Sequence, residues 1–185
     1  MGDLVLETGR LVLRRTRDGD LDLHLRHLNT PEVMDHLGGV KEPHEIEAKF
    51  AKAEASFARE GFGFMMVVEK ETGDLVGHCG LKRVDNPLAP NPGDMEIGWL
   101  IRQDRWRRGY AFEAALAIRD HAFRAFDPPV LVALTSAANV GSWRIMEKLA
   151  FKRRVDLDFR DPTFSDRDNP TIQYAITRQG WQEAV

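Results

Sequence analysis

At 185 residues, with 43% hydrophobic and 30% charged side chains, the chain is long enough to bury a core without disulfides or metals, and disorder is not its default. A net charge of −3 and a pI near 6.1 give no global electrostatic footprint for nucleic acid. Cys79 is the sole cysteine, which excludes an internal disulfide and a thiolate zinc cluster, and no apolar run approaches the roughly 18 residues that cross a bilayer. The opening MGDLVLETGR has acidic Asp3 and Glu7 and too short an apolar run for a signal peptide, and Leu6 stands where a myristoylation motif needs Ser or Thr. The expectation is a cytoplasmic protein forming one domain over residues 1–185, with no membrane and no direct nucleic-acid partner.

Arg10 to Arg15 reads as a first strand. Thr16 or Asp18 is placed to cap a helix that buries Leu21, Leu25 and Leu28. A helical turn follows from Thr30-Pro31 with Val33, Met34 and Leu37, and Gly38-Gly39 closes it. Pro43 then opens a helix over His44 to Arg59 whose stripe is Ile46, Phe50, Ala53 and Phe57, and Gly61 ends it. Phe62 to Glu69 and Leu75 to Lys82 are strands joined so tightly through Thr72-Gly73-Asp74 that they must be antiparallel. Asp85 to Gly93 is a Pro/Asn/Gly loop.

Met95 to Ile101 alternates as a strand, with Glu96, Gly98 and Leu100 on one face. After Gly109, Ala111, Ala115, Ile118, Ala122 and Phe126 recur at helical spacing. Val130 to Thr135 is an apolar strand, Asn139 to Ser142 introduces a helix bearing Ile145, Met146 and Leu149, and Lys152 to Phe159 with Thr171 to Thr177 reads as a closing antiparallel pair. The fold class is α/β with an α+β character: one mixed, mostly antiparallel central sheet flanked by helices on both faces.

Two features carry chemistry. Arg102, Arg105, Arg107 and Arg108 run into Gly109-Tyr110-Ala111, a basic turn at a helix N-terminus. Unpaired N–H groups and the helix dipole there attract anions, and a glycine admits close approach, so the turn suits a diphosphate. It has neither the Gly-x4-Gly-Lys-Ser/Thr nor the Gly-x-Gly-x-x-Gly spacing, and a solvated basic turn is the bland alternative. Glu96 interrupts an apolar strand, where a carboxylate is costly unless paired or hydrated. Burial would raise its pKa toward that of a useful base; pairing with a basic group is the structural alternative.

Asn139 and Ser142 have the spacing of a helix cap. The six histidines form no metal motif. His24 and His27, three apart on a helix, read as solvated, and for His78, in a strand beside Cys79, lining a cleft is the lesser of its readings. Cys79 reads as a small buried apolar residue.

Four stretches, ETGRLVLRRTRDGDLDLHLRHL, TGDLVGHCGL, EIGWLIRQDRWRRGYAFEAA and ANVGSWRIMEKLAFKR, together resemble the GNAT superfamily of acyl-CoA-dependent N-acyltransferases, closest to the branch that acetylates ribosomal-protein N-termini. Two positions depart from the pattern: Trp106 stands where many members carry Gln or Arg, and Ala150 replaces the glycine of a Gly-Phe pair. The resemblance implies acetyl-CoA as acyl donor, with its diphosphate at Arg107, Arg108, Gly109, Tyr110 and Ala111 and its pantetheine along Leu100, Ile101 and Arg102. It also implies Asn139 as a cofactor contact, Glu96 as general base and Ser142 as donor of the proton to the thiolate, with no metal. The acceptor is a primary amine, a protein or peptide N-terminus before an amino acid, polyamine or aminoglycoside. A non-catalytic CoA sensor is the competing class. The resemblance leaves monomer and homodimer open.

Overall fold

A computed structural model describes residues 5–184, which form eight strands and five α-helices. The expectation that no leader precedes the first strand falls partly on residues 1–4, outside the described residues. The strands are β1 (Val5–Glu7), β2 (Leu11–Arg14), β3 (Phe64–Glu69), β4 (Leu75–Arg83), β5 (Met95–Ile101), β6 (Val130–Ser136), β7 (Lys152–Arg153) and β8 (Thr171–Thr177). The helices are α1 (Asp20–His27), α2 (Pro43–Glu60), α3 (Tyr110–Ala125), α4 (Val140–Lys148) and α5 (Arg178–Ala184).

The strands lie in one sheet in the order β1-β2-β3-β4-β5-β6-β8-β7. Only the β5–β6 pair is parallel, so the sheet is mixed and mostly antiparallel, as expected. The parallel step is forced because α3 carries the chain from the end of β5 back to the start of β6. One face holds α3, α4 and α5 over the largest core cluster, where Leu13, Met65, Ile97 and Leu131 of the sheet meet Ala115, Ile118 and Phe123 of α3. Phe123 is fully buried and stacks on Trp181 of α5 at 5.2 Å between ring centroids. Each such side chain contributes about 1.5–3 kcal/mol on leaving water. The other face takes α1 and α2, with Leu28, Val33, Met66 and Leu75 as a second cluster. Among the described residues no helix is long and apolar enough to cross a membrane.

Several local expectations are corrected. β1 and α5 are additional elements; both are short, below the length at which periodicity is legible. Neither Thr16 nor Asp18 caps α1: its N-cap is Gly19 at φ 87, without a side-chain cap, while the Asp20 carboxylate accepts from Arg17 N–H (2.7 Å) and from Arg14. The buried residues of α1 are Asp20 and His24; Leu21 and Leu25 are only partly covered, because the helix rests on a cleft rather than on a closed core. Residues 30–39 are turns that hold the expected helical turn, Met34 N–H donating to Thr30 O at 2.9 Å, with Val33 and Met34 buried; Leu37, expected among its apolar residues, is 41% exposed. The closing hairpin is shorter than expected: β7 spans two residues, a 3-10 turn at Val155–Leu157 follows, and Phe159 returns as a single bridge to Thr171.

Candidate active site

The site begins where two strands part. β5 pairs with β4 along its whole length to Ile101, and β6 pairs with β8 to Ser136. Between them only Met95↔Leu131 and Glu96↔Val132 are partnered. Beyond that point the facing edges of 97–101 and 133–136 have no ladder partner. A cleft of about 1610 Å³ runs through the split and opens on both faces of the sheet. Backbone groups freed inside a fold need partners, and beyond the second pair β5 and β6 do not supply them to each other.

The direction of those groups follows from the β4–β5 ladder. Arg102 N–H donates to Val76 O at 3.0 Å, which fixes the even-numbered residues of β5 as those bonded toward β4. Trp99 and Ile101 therefore turn their N–H and C=O toward the split. Trp106 Nε1–H donates to Ile101 O at 2.7 Å and closes the strand end. Arg102 turns away entirely: its guanidinium holds Asp104 and Leu75 O. Of the expected edge Leu100-Ile101-Arg102, Leu100 turns its backbone groups to β4, and Arg102 gives its N–H to Val76 O and its C=O to Arg105 N–H (3.0 Å), so Ile101 is the one of the three that faces the split.

The split leads to the basic turn. Gly109, at φ 82, is the N-cap of α3 and carries no side-chain cap, so the first N–H groups of the helix remain free. Arg107 sits in the left-handed region at φ 60, a conformation that costs an L-residue about 1–2 kcal/mol. Its exposed guanidinium and that of Arg108 enter no ion pair among the described residues, and Arg107, Gly109, Tyr110 and Ala111 line the cleft. Arg105 is not available: it holds Glu69 at 3.0 Å and Asp74 at 2.7 Å. Glu69 also accepts from the buried Tyr110 hydroxyl, so Tyr110 presents its backbone to the cleft while its side chain anchors the turn to the β3–β4 hairpin. Arg10, just before β2, braces the same turn, donating to Arg108 O at 2.9 Å and lying over the Tyr110 ring. Arg10 and Glu69 are the supporting residues that motif reading missed.

Opposite the turn, α4 starts at Asn139, whose Oδ1 accepts Ser142 N–H at 3.3 Å. Both side chains line the cleft. The cap uses only the oxygen of Asn139, leaving its amide N–H groups and the Ser142 hydroxyl without a protein partner among the described residues. Tyr174 lies away from the cleft, against Glu147 and under Arg153.

On the α1/α2 face Glu96 is 8% exposed at the last paired position of the split. Its Oε2 lies 3.2 Å from Lys82 Nζ, its cross-strand neighbour on β4, but out of line for a hydrogen bond, so the contact is an ion pair. Lys82 also reaches Asp85 at 3.3 Å, and Lys52 of α2 pairs with Asp85 in turn. Burial pushes the Glu96 carboxyl above the ordinary range, with Lys82 opposing. Gly98 keeps the floor beside it open, since a Cβ there would come 2.9 Å from the Phe64 ring.

The expectation of solvated α1 histidines is corrected: His24 is 3% exposed, lies against His78 and Phe50, and lines the same cleft. Burial drops His24 to a pKa of about 4 and His78 to about 3, so both are neutral at pH 7. His78 also lines the cleft. Burial pushes the Cys79 thiol up, and it is no nucleophile. Among the described residues no group of three or more His, Cys, Asp or Glu is arranged to hold a metal ion.

Comparison with known proteins gives a consistent result. A family model described as an acetyltransferase (GNAT) domain matches residues 10–152. The uncharacterized N-acetyltransferase YnaD of Bacillus subtilis (strain 168) is 34% identical over 149 residues, which is 80% of this chain and 82% of YnaD. An acetyltransferase from Agrobacterium tumefaciens str. C58 superposes with a TM-score of 0.78 at 28% identity, covering 96% of each chain. The ribosomal L7/L12 α-N-protein acetyltransferase RimL, in its apo form, shares the fold with a TM-score of 0.74 at 13% identity over 95% of this chain and 94% of its own.

Proposed function

Since this chain belongs to the GNAT acetyltransferase family, we propose that residues 1–185 act as one catalytic unit that transfers an acetyl group from acetyl-CoA directly to a primary amine. The observation that carries this reading is the two-residue β5–β6 pairing, which leaves a strand-shaped gap ending at a basic helix N-terminus.

In this reading the diphosphate lies at Arg107 to Ala111, met by Arg107, Arg108 and the free N–H groups after Gly109. The pantetheine arm pairs with Trp99 and Ile101 as an added strand, and Asn139 reaches it from α4. The amine enters from the α1/α2 face. Glu96 takes its proton, directly or through water, and the freed lone pair attacks the thioester carbonyl. An N–H at the split holds the oxyanion. The carbon–sulfur bond then breaks, the Ser142 hydroxyl supplies the proton to the departing thiolate, and the second proton shed by the attacking nitrogen returns to Ser142 through water. Holding both reactants in one cleft provides much of the rate. No acyl-enzyme is needed. The branch resemblance favours a protein or peptide N-terminus as acceptor, ahead of a small-molecule amine, and a cytoplasmic setting, where acetyl-CoA and such acceptors meet.

The test is calorimetric titration with acetyl-CoA and desulfo-CoA, followed by thiol release against an amine panel. Binding of both ligands with amine-dependent thiol release is the expected result. A folded sample that binds neither ligand refutes the proposal.

A further inference from the structure

The α1/α2 side of the cleft has an uneven charge balance. Most carboxylates that line it are matched: Asp85 by Lys52 and Lys82, Glu60 by Arg59 and Arg83, Asp35 and Asp168 by Arg167, and Glu96 by Lys82. Glu32, exposed on the rim, is the lining carboxylate with no counterpart among the described residues. Lys49 of α2 lines the cleft as well, and no described carboxylate pairs with it. Glu45, the acid whose charge acts on it, accepts Glu42 N–H in the capping box of α2. Lys49 is exposed where it lines the cleft; partial desolvation, then Lys41 and Lys82, hold its ammonium below the usual lysine range, with Glu45 opposing.

A second observation lies beside it. His24 is 3% exposed, and its Nδ1 atom is buried with no hydrogen-bond partner. A buried ring nitrogen left unpaired is costly and rare in a folded protein. The rings of His24 and His78 are 5.2 Å apart, and both feel the Lys49 charge. Two neutral imidazoles and an accessible ammonium that no described carboxylate pairs with suit an anion. They oppose a polycation, whose extra amines would meet Lys49 and Lys82.

We infer that the acceptor half of the cleft takes an amine that also bears a carboxylate, the carboxylate resting on Lys49 beside His24 and His78 while the amine turns to Glu96. The inference rests on the acetyltransferase reading and narrows its acceptor. Lys82 connects the two ends: it pairs with Glu96 at 3.2 Å and repels Lys49. The carboxylate has two sources, a free amino acid or an acidic side chain near a peptide N-terminus.

The experiment compares matched acceptors: glycine, β-alanine and glutamate against their amides, and Ser-Asp against Ser-Asn peptides with amidated C-termini. Initial rates are measured on the wild type, Lys49→Ala and Lys49→Glu, with desulfo-CoA titration of each. The wild type should favour the carboxylate member of a pair by about tenfold or more in kcat/KM. Lys49→Ala should raise KM for that member by a similar factor at nearly constant kcat, and Lys49→Glu should remove or invert the preference. Preference confined to amino acids identifies the small-molecule source, and preference confined to Ser-Asp the peptide source. An enzyme that binds desulfo-CoA yet prefers the carboxylate member of no pair overturns the inference. Loss of both members equally in Lys49→Ala overturns it too. Failure to bind desulfo-CoA is a separate result, against the function itself.

Discussion

Glu96 is legible from sequence because a carboxylate in MEIGWLI needs a reason to be there. What the sequence hides is Lys82, fourteen positions away, which meets it only through the β4–β5 register. The pair decides how Glu96 works. Burial disfavours its ionised form, and Lys82 favours it; Asp85 works with burial and Lys52 against it. A raised acid pKa means that the protonated form persists to higher pH, so the acid limb of kcat/KM should lie above the ordinary glutamate range. Replacing Lys82 by Met removes the main opposing charge and should move that limb to still higher pH, with desulfo-CoA affinity unchanged. Glu96→Gln should lower kcat/KM by about 10²–10⁴ and abolish the limb. A limb that stays in place in Lys82→Met would show that the ion pair does not set the base. His24 illustrates the limit of residue reading. Its helical spacing fits a solvated face, and only the placement of α1 over the cleft makes it buried.

At the scale of elements, the strand, turn and helix from Met95 to Ala125 follow the alternation and 3.6-residue periodicity closely, because both faces of β5 and one face of α3 are packed. The arginines between them do not declare their roles. Arg102 and Arg105 have the same local sequence character as Arg107 and Arg108, yet two are committed to Asp104, Glu69 and Asp74. Those partners come from the β3–β4 hairpin and the turn itself, so composition cannot separate the groups. Gly109→Ala tests the turn. At φ 82 a Cβ costs about 1–2 kcal/mol, and it would sit 3.4 Å from the Arg10 guanidinium that braces the loop. Desulfo-CoA affinity should fall about tenfold with the melting temperature only slightly lowered; unchanged affinity would remove the turn from donor binding. Ala150 shows the converse. It replaces an expected glycine but keeps φ 67 after α4. Ala150→Gly should therefore raise stability by about 0.5–1 kcal/mol, relief of strain exceeding the entropy that glycine adds to the unfolded chain. Equilibrium denaturation would show this as a higher midpoint at constant slope.

Across the whole molecule, the sheet order is legible as a class but not as a path. Tight connections name the antiparallel pairs, while the partial β5–β6 contact depends on packing from both sides of the sheet. The loops over the acceptor side are least legible, because polar residues without periodicity give no spatial partner. Residues 160–170, RDPTFSDRDNP, have mixed charge and no periodicity, and one of their acids is a hub. Asp168 is 5% exposed and accepts from Ser136 Oγ on β6 (2.9 Å) and Ser165 Oγ (3.1 Å), with His36 Nδ1 at 2.7 Å from the 30–39 turns. Arg167 adds an ion pair at 3.2 Å. Burial would raise its pKa, but these partners outweigh burial and hold it at about 2. A carboxyl depressed in the folded state stabilises above its unfolded pKa, near 3.9, and loses that contribution as pH falls toward 2. Asp168→Asn should lower the melting temperature at pH 7 by about 5 °C. The deficit should shrink steadily between pH 4 and pH 2, as the wild-type carboxylate takes up its proton. Because the hub joins two loops to the end of β6, the same variant should raise acceptor KM more than acetyl-CoA KM. A deficit that stays constant down to pH 2 would mean that the Asp168 charge contributes nothing, and that the loops are held by their apolar contacts alone.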